Sequence, residues 1–176
     1  GEVLFADYGL SGIAVMDVSR SVRNNRCICT LNVIPELKRD AIETFIACAK
    51  NRNPSECLDD ALSGIIPKKL GQYLIKVCGM RADITLAEIR NQQINLLASK
   101  LKALDFTVTG TRGFDSAQIT VGGADTSGFD MKTLESVKVR GLYCTGELLD
   151  VDSQCGGFNL QWAWASGITA GRACAE

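Results

Sequence analysis

Three glycine-bearing segments in the last third of the chain have the residue types and spacing for ligand chemistry. The first is Thr120-Val121-Gly122-Gly123, where a β-branched run meets two glycines. The second is Gly141-Leu142-Tyr143-Cys144-Thr145-Gly146-Glu147, read as a strand that ends in a glycine and a carboxylate. The third is Gly156-Gly157-Phe158-Asn159-Leu160-Gln161-Trp162-Ala163, a diglycine directly ahead of a helix that runs to about Cys174. A diglycine lets backbone approach a flat or charged ligand with no Cβ in the way. The free N–H groups of the first helical turn, carrying about half a positive charge from the macrodipole, then face that ligand. Glu147 would stand at the carboxyl end of a strand, where open α/β sheets bind their ligands. Glycines serve ordinary turns too, so the segments by themselves leave turn and site both open.

Other chemistries are narrowed by composition. The chain has 176 residues and no histidine, which removes His-based triads, Cys/His zinc fingers and imidazole general bases together. Its eight cysteines are Cys27, Cys29, Cys48, Cys57, Cys78, Cys144, Cys155 and Cys174, with no Cys-x-x-Cys pair among them. A cysteine metal site therefore has only the count behind it, and no metal is expected. Period 2 places Cys27, Cys29, Leu31 and Val33 on one strand face as core residues, and Cys48 shares a helical pattern with Phe45. A reducing cytoplasm is the simplest compartment for so many unpaired thiols. Charge nearly cancels at −1, unlike the basic stripe of a nucleic-acid module. No run approaches the ~18 apolar residues of a membrane span.

The elements that must position these segments read as α+β. Val3–Phe5 is a short strand, Ser11 stands as N-cap, and Ile13–Val22 has near-helical apolar spacing. Arg26–Val33 alternates as a strand. From about Glu36 to Leu104 the pattern is helical. It includes a stripe at Ile42, Phe45, Ile46 and Ala49, a helix start at Asn53-Pro54, and a face of Leu70, Tyr73, Leu74 and Val77. Thr85-x-x-Glu88 predicts a capping box ahead of a stripe through Leu86, Ile89, Leu97, Leu101 and Leu104. Phe106–Thr111 and Ala117–Val121 then read as strands.

Gly1–Arg20 (GEVLFADYGLSGIAVMDVSR), Thr120–Ala124 (TVGGA), Thr133–Ser136 (TLES) and above all Gly141–Gly171 (GLYCTGELLDVDSQCGGFNLQWAWASGITAG) resemble the BaiN-like flavoproteins, a family of NAD(P)/FAD-dependent oxidoreductases. The resemblance implies a two-part FAD domain interrupted by an inserted β-barrel and helical bundle. It also implies a Gly-x-Gly-x-x-Gly fingerprint near the family's N-terminus, which this sequence lacks. On that basis the chain is expected to be the C-terminal part of a longer protein. A small barrel-like β subdomain would comprise residues 1–34 and 105–121, a helical bundle 35–104, and the closing piece of the FAD domain 122–176.

Carried over residue by residue, the resemblance places Gly146 and Glu147 at the FAD ribityl and pyrophosphate region. It places Gly156, Gly157, Phe158, Asn159 and Leu160 along the isoalloxazine, and Thr120, Gly122 and Gly123 on the flavin or substrate side. The catalytic residues and the substrate are not written in these motifs; one family member acts on bile-acid intermediates. FAD is the expected cofactor and NAD(P)H the expected reductant. The expected partners are the missing N-terminal FAD-binding half and a small-molecule substrate, with no nucleic acid and no membrane, and with self-association through unpaired strand edges. Ile13, Leu134 and Ser153 depart from the family's proline, methionine and glycine, the last inside the flavin loop. The alternative reading is a non-catalytic binding or interaction module.

Overall fold

A computed structural model describes residues 1–22 and 26–175. The chain divides into two compact units, one formed by residues 1–25 with 109–176 and the other by residues 26–108. Within the described residues the fold is mixed helix and strand, as the patterning implies.

The second unit is a helical cluster on a two-stranded ladder. Its elements are β3 (Cys27–Leu31), α2 (Arg39–Arg52), α3 (Leu58–Leu62), α4 (Lys68–Val77), α5 (Asn91–Lys102) and β4 (Leu104–Val108). The ladder is antiparallel, with Cys27 opposite Val108 and Leu31 opposite Leu104. Ile42, Ile46, Leu58, Leu62, Leu74, Ile75, Leu97 and Leu101 are almost wholly removed from solvent and form one core. The stripe of α2 is buried as its 3.6-residue spacing requires. Lys102 ties the end of α5 to the segment after β3, its Nζ donating to the carbonyls of Ile34 (2.8 Å) and Leu37 (2.7 Å).

Four sequence expectations shift here. Helix α4 buries Gly71, Leu74 and Ile75 and leaves Tyr73 and Val77 exposed, so its packing face is turned from the predicted one. At Gly71 the helix packs against Leu62 and Ile66, where a Cβ would make ordinary van der Waals contact at 3.5–3.8 Å, so this side of α4 faces α3. The Thr85–Glu88 box forms, with the Glu88 carboxylate accepting from the Thr85 N–H (2.9 Å), but it closes only a turn. Thr85 is bridged to Cys57 in extended pairing, and the helix begins at Asn91. Asn53-Pro54 likewise opens a turn, with α3 starting at Leu58. Cys27 and Cys48 are exposed rather than core residues, because the ladder outruns the helices at Cys27 and the α2 stripe passes Cys48 on its flank.

The first unit begins with the antiparallel hairpin β1 (Leu4–Ala6) and β2 (Gly9–Ser11), followed by α1 (Ile13–Ser19). Gly12, not Ser11, caps α1; at φ 102° a Cβ would meet the Glu2 carbonyl oxygen at 2.6 Å. The remainder is mostly irregular. Short 3₁₀ turns at Phe114–Ser116, Thr126–Gly128 and Gly146–Leu148 lead to the long α6 (Phe158–Ala175). The strands expected at Ala117–Val121 and within Gly141–Glu147 are replaced by loops, 3₁₀ turns and isolated bridges. The described strands form two separate two-stranded sheets and no closed barrel, so the barrel-like element of the sequence reading is not found among them.

A small core of Leu134, Cys144, Leu149 and Ala170 holds this unit together, with Phe129, Tyr143 and Trp162 against it. Leu134 is the one described non-glycine residue at positive φ, 62°, and burial of its side chain holds it there. No described helix is long and apolar enough to cross a membrane.

Candidate functional site

The three glycine segments come together in the first unit in two layers. In the inner layer, Gly146 occupies a left-handed turn (φ 64°) pressed on α6. Its N–H donates to the Ser166 Oγ (2.9 Å), and its carbonyl accepts from the Trp162 Nε1 (3.1 Å). Both backbone groups are spent, so Gly146 fixes the turn and presents nothing outward. Ser166 is 1% exposed, and its hydroxyl donates back to the Trp162 carbonyl (2.6 Å). Gly123 is equally committed. A Cβ on it would stand 2.7–2.8 Å from backbone atoms of Leu148, Leu149 and Asp150. The next residue bridges Leu149, with the Ala124 N–H donating to the Leu148 carbonyl (2.8 Å).

In the outer layer, the Glu147 carboxylate accepts from the Thr120 N–H (2.9 Å), joining the first and second segments. Gly122, at φ 97°, has open space where a side chain would be. The third segment turns through Gly156 (φ 139°) and Gly157 (φ 90°) into α6. Gly157 also faces open space, and its carbonyl accepts the first helical hydrogen bond, from Gln161 (3.0 Å). The backbone N–H groups of Phe158, Asn159 and Leu160 have no acceptor among the described residues. They are thus free donors at the positive end of an 18-residue helix. Asn159 pins the loop from inside: its Oδ1 accepts from the Ser153 N–H (2.8 Å) while its Nδ2 donates to the Ser153 carbonyl (3.0 Å).

Two residues that sequence reading gave no role hold the same loop from α1. Asp17 Oδ1 accepts the Cys155 N–H (3.0 Å), and the Arg20 guanidinium reaches both carboxylate oxygens of Asp152 (2.6 and 3.4 Å). Partial burial, and then Asp17, push the Cys155 thiol above its ordinary pKa and keep it protonated. Separations of 132 and 138 residues left no pattern from which these contacts could be read. Ser166 was missed for another reason: a small polar residue inside a helix gives no signal until its partner is known.

The outer face of α6 is apolar and open. Leu160, Trp164 and Ile168, at successive i, i+4 positions, are 61%, 63% and 56% exposed, and Phe158 is 61% exposed.

Two other clusters are already partnered. In the second unit the Cys57, Asp59 and Asp60 cluster already holds a cation, Lys68, whose Nζ is 2.6 Å from Asp60 and 3.7 Å from Asp59. A cleft of about 200 Å³ beside Gly79, Arg81 and Arg90 has its Arg81 paired with Asp83 (3.0 Å) and Glu88 (3.7 Å).

Comparison with known proteins gives this geometry a context. Residues 1–119 match the family described as the HI0933-like protein barrel and H2TH domain. The chain is 37% identical over 181 residues to the 3-dehydro-bile acid delta(4,6)-reductase of Clostridium scindens, covering 100% of this chain and 44% of that protein. It is 34% identical to the ribosomal RNA dihydrouridine synthase of Escherichia coli, over 93% of this chain and 40% of the relative. For the synthase of the same name from Haemophilus influenzae the figures are 35%, 94% and 40%. The chain thus spans less than half the length of these curated relatives. With a family match over residues 1–119 of 176 and this identity along the whole chain, the protein belongs to the HI0933-like, BaiN-like flavoprotein family.

Proposed function

We propose that the chain works within an FAD-dependent oxidoreductase, supplying one wall of the flavin pocket, with NAD(P)H as reductant. The observation that carries this reading is the 37% identity, along the whole chain, to a protein named as a reductase. The activities in the relatives' names share one chemistry. A 3-oxo steroid with double bonds at 4 and 6, and the uracil ring of uridine, each present a carbon–carbon double bond conjugated to a carbonyl. Reduction of such an activated bond is the reaction class we assign, and a steroid-like or nucleobase substrate fits it equally.

The residues fit a flavin on one observation of the site. Three free N–H donors, from Phe158, Asn159 and Leu160, follow Gly157, which faces open space, and Gly156, against which the Phe158 ring lies. Bound FAD would supply the hydride chemistry, as cofactors do. The chain's own part is positional and electrostatic. Gly157 admits the ring beside Phe158 and Gly156, and the α6 N-terminus stabilises negative charge on the edge laid against it. Asn159 holds the loop at Ser153, and Gly122 with Thr120, steadied by Glu147, borders the reacting side. Gly146 and Gly123 set the backbone beneath. The exposed Leu160, Trp164 and Ile168 face is where the remaining portion of the flavin domain, corresponding to the rest of the relatives' length, would pack. Eight free thiols fit a reducing, cytoplasmic setting.

The test is spectroscopic. The chain, assembled with that remaining portion and reconstituted with FAD, is expected to be yellow and to bleach anaerobically with NADH or NADPH. Colour should return on adding a conjugated steroid enone or a uridine-containing ribosomal RNA fragment. A preparation that stays colourless refutes the flavin reading and favours an interaction module.

A further inference from the structure

We propose that α1 is a latch that sets the conformation of the diglycine loop, with Asp17 and Arg20 as its two positioning residues. The pair lies one helical turn apart (i, i+3), so both side chains leave α1 on the same side. They engage the loop at points three residues apart, Cys155 and Asp152, and the diglycine follows at once. Between those two points the Ser153 backbone is held by Asn159. Residues 152–155 are therefore fixed from α1 on one side and from α6 on the other, and Gly156 and Gly157 leave that clamp in a defined direction. Glycine has no preference of its own to supply one. The Asp152 carboxylate is 11% exposed against 51% for Arg20, so the acid is largely withdrawn from water and depends on its guanidinium partner. Without the latch, the segment 153–157 would have only the Asn159 pair to hold it, and the donors of Phe158 to Leu160 would follow a mobile lead-in.

The functional weight of this latch rests on the flavin reading of the loop; the latch itself does not. It also means that α1 holds a loop almost 140 residues later in the chain.

The test uses the chain as it stands, without flavin, with amide exchange over residues 152–158 and the pH profile of Cys155 alkylation followed by peptide mass. Asp17→Ala is expected to raise exchange at Cys155 and the diglycine by about tenfold or more, the scale of a lost hydrogen bond to a charged group. Asp17→Asn keeps an acceptor for the Cys155 N–H but no charge. It should leave exchange near wild type while moving the alkylation midpoint to lower pH, a split that a merely structural side chain would not produce. Arg20→Asp should loosen the loop, and adding Asp152→Arg should restore it. Unchanged exchange in both Asp17→Ala and Arg20→Asp, in folded protein, overturns the proposal, as does a swap that restores nothing. If these variants loosen the loop but the assembled protein takes up no FAD, the latch stands and the flavin reading falls.

Discussion

Ser166→Ala isolates the contact that seats the Gly146 turn on α6. The wild-type hydroxyl is 1% exposed and stands 2.9 Å from the Gly146 nitrogen. Its other contacts, to the carbonyls of Trp162 (2.6 Å) and Ala163 (3.1 Å), are to α6 carbonyls that helical bonding already serves. Alanine changes the volume by one oxygen atom, so the cost falls on the Gly146 N–H, left buried without an acceptor. Such a group costs about 1–3 kcal/mol, which is about 5- to 150-fold in an opening equilibrium. The assay is native-state amide exchange at Gly146, Glu147 and Leu148, with Leu101 in the other unit as an internal reference. Exchange at Gly146 should accelerate within that range while Leu101 is unchanged. Trp162→Phe, which removes the donor to the Gly146 carbonyl, should have a smaller effect, since a carbonyl has a second lone pair for water. Wild-type exchange at Gly146 in folded Ser166→Ala would refute the reasoning that the turn is held by this bond.

Three further outcomes follow from the same geometry. Gly123→Ala places a Cβ within 2.8 Å of the Leu148–Asp150 backbone and should abolish protection of the Ala124 and Asp150 amides. Gly122→Ala has open space and only its φ of 97° against it, and should be milder when the two are compared by thermal melting. Leu101→Ala, at a fully buried position of the helical unit, should destabilise that unit by about 2–5 kcal/mol in urea titration. Glu88, whose carboxylate the Thr85 N–H holds below its usual pKa, stabilises the fold above the ordinary carboxylate value. That contribution is lost as pH falls through its folded value, so the acid side of the stability–pH profile should be flatter in Glu88→Gln.

What was legible in the sequence was local and periodic. The α2 stripe and the helix after Gly156-Gly157 follow from apolar spacing and from the backbone chemistry of glycine. The α4 face was not legible, because Tyr73 and Val77 carry the same apolar signal as the buried Leu74 and Ile75, while the inward Gly71 carries none. Thr120–Val121 has strand propensity, yet the Thr120 N–H is taken by the Glu147 carboxylate and not by a ladder. Tertiary partners outweigh β-propensity at such positions. In the candidate site, glycine spacing located the loop and the helix start. It could not distinguish Gly146 and Gly123, consumed in packing, from Gly122 and Gly157, which face open space. The hold of Asp17 and Arg20 on the loop lay outside any sequence window.

The central question is whether the loop at the head of α6 lies against a flavin. Photolabelling of the assembled protein with an azido-FAD, followed by peptide mapping, tests this directly. Label is expected within residues 153–164, suppressed by excess FAD. Label confined to residues 26–108, or label that excess FAD does not displace, would contradict it.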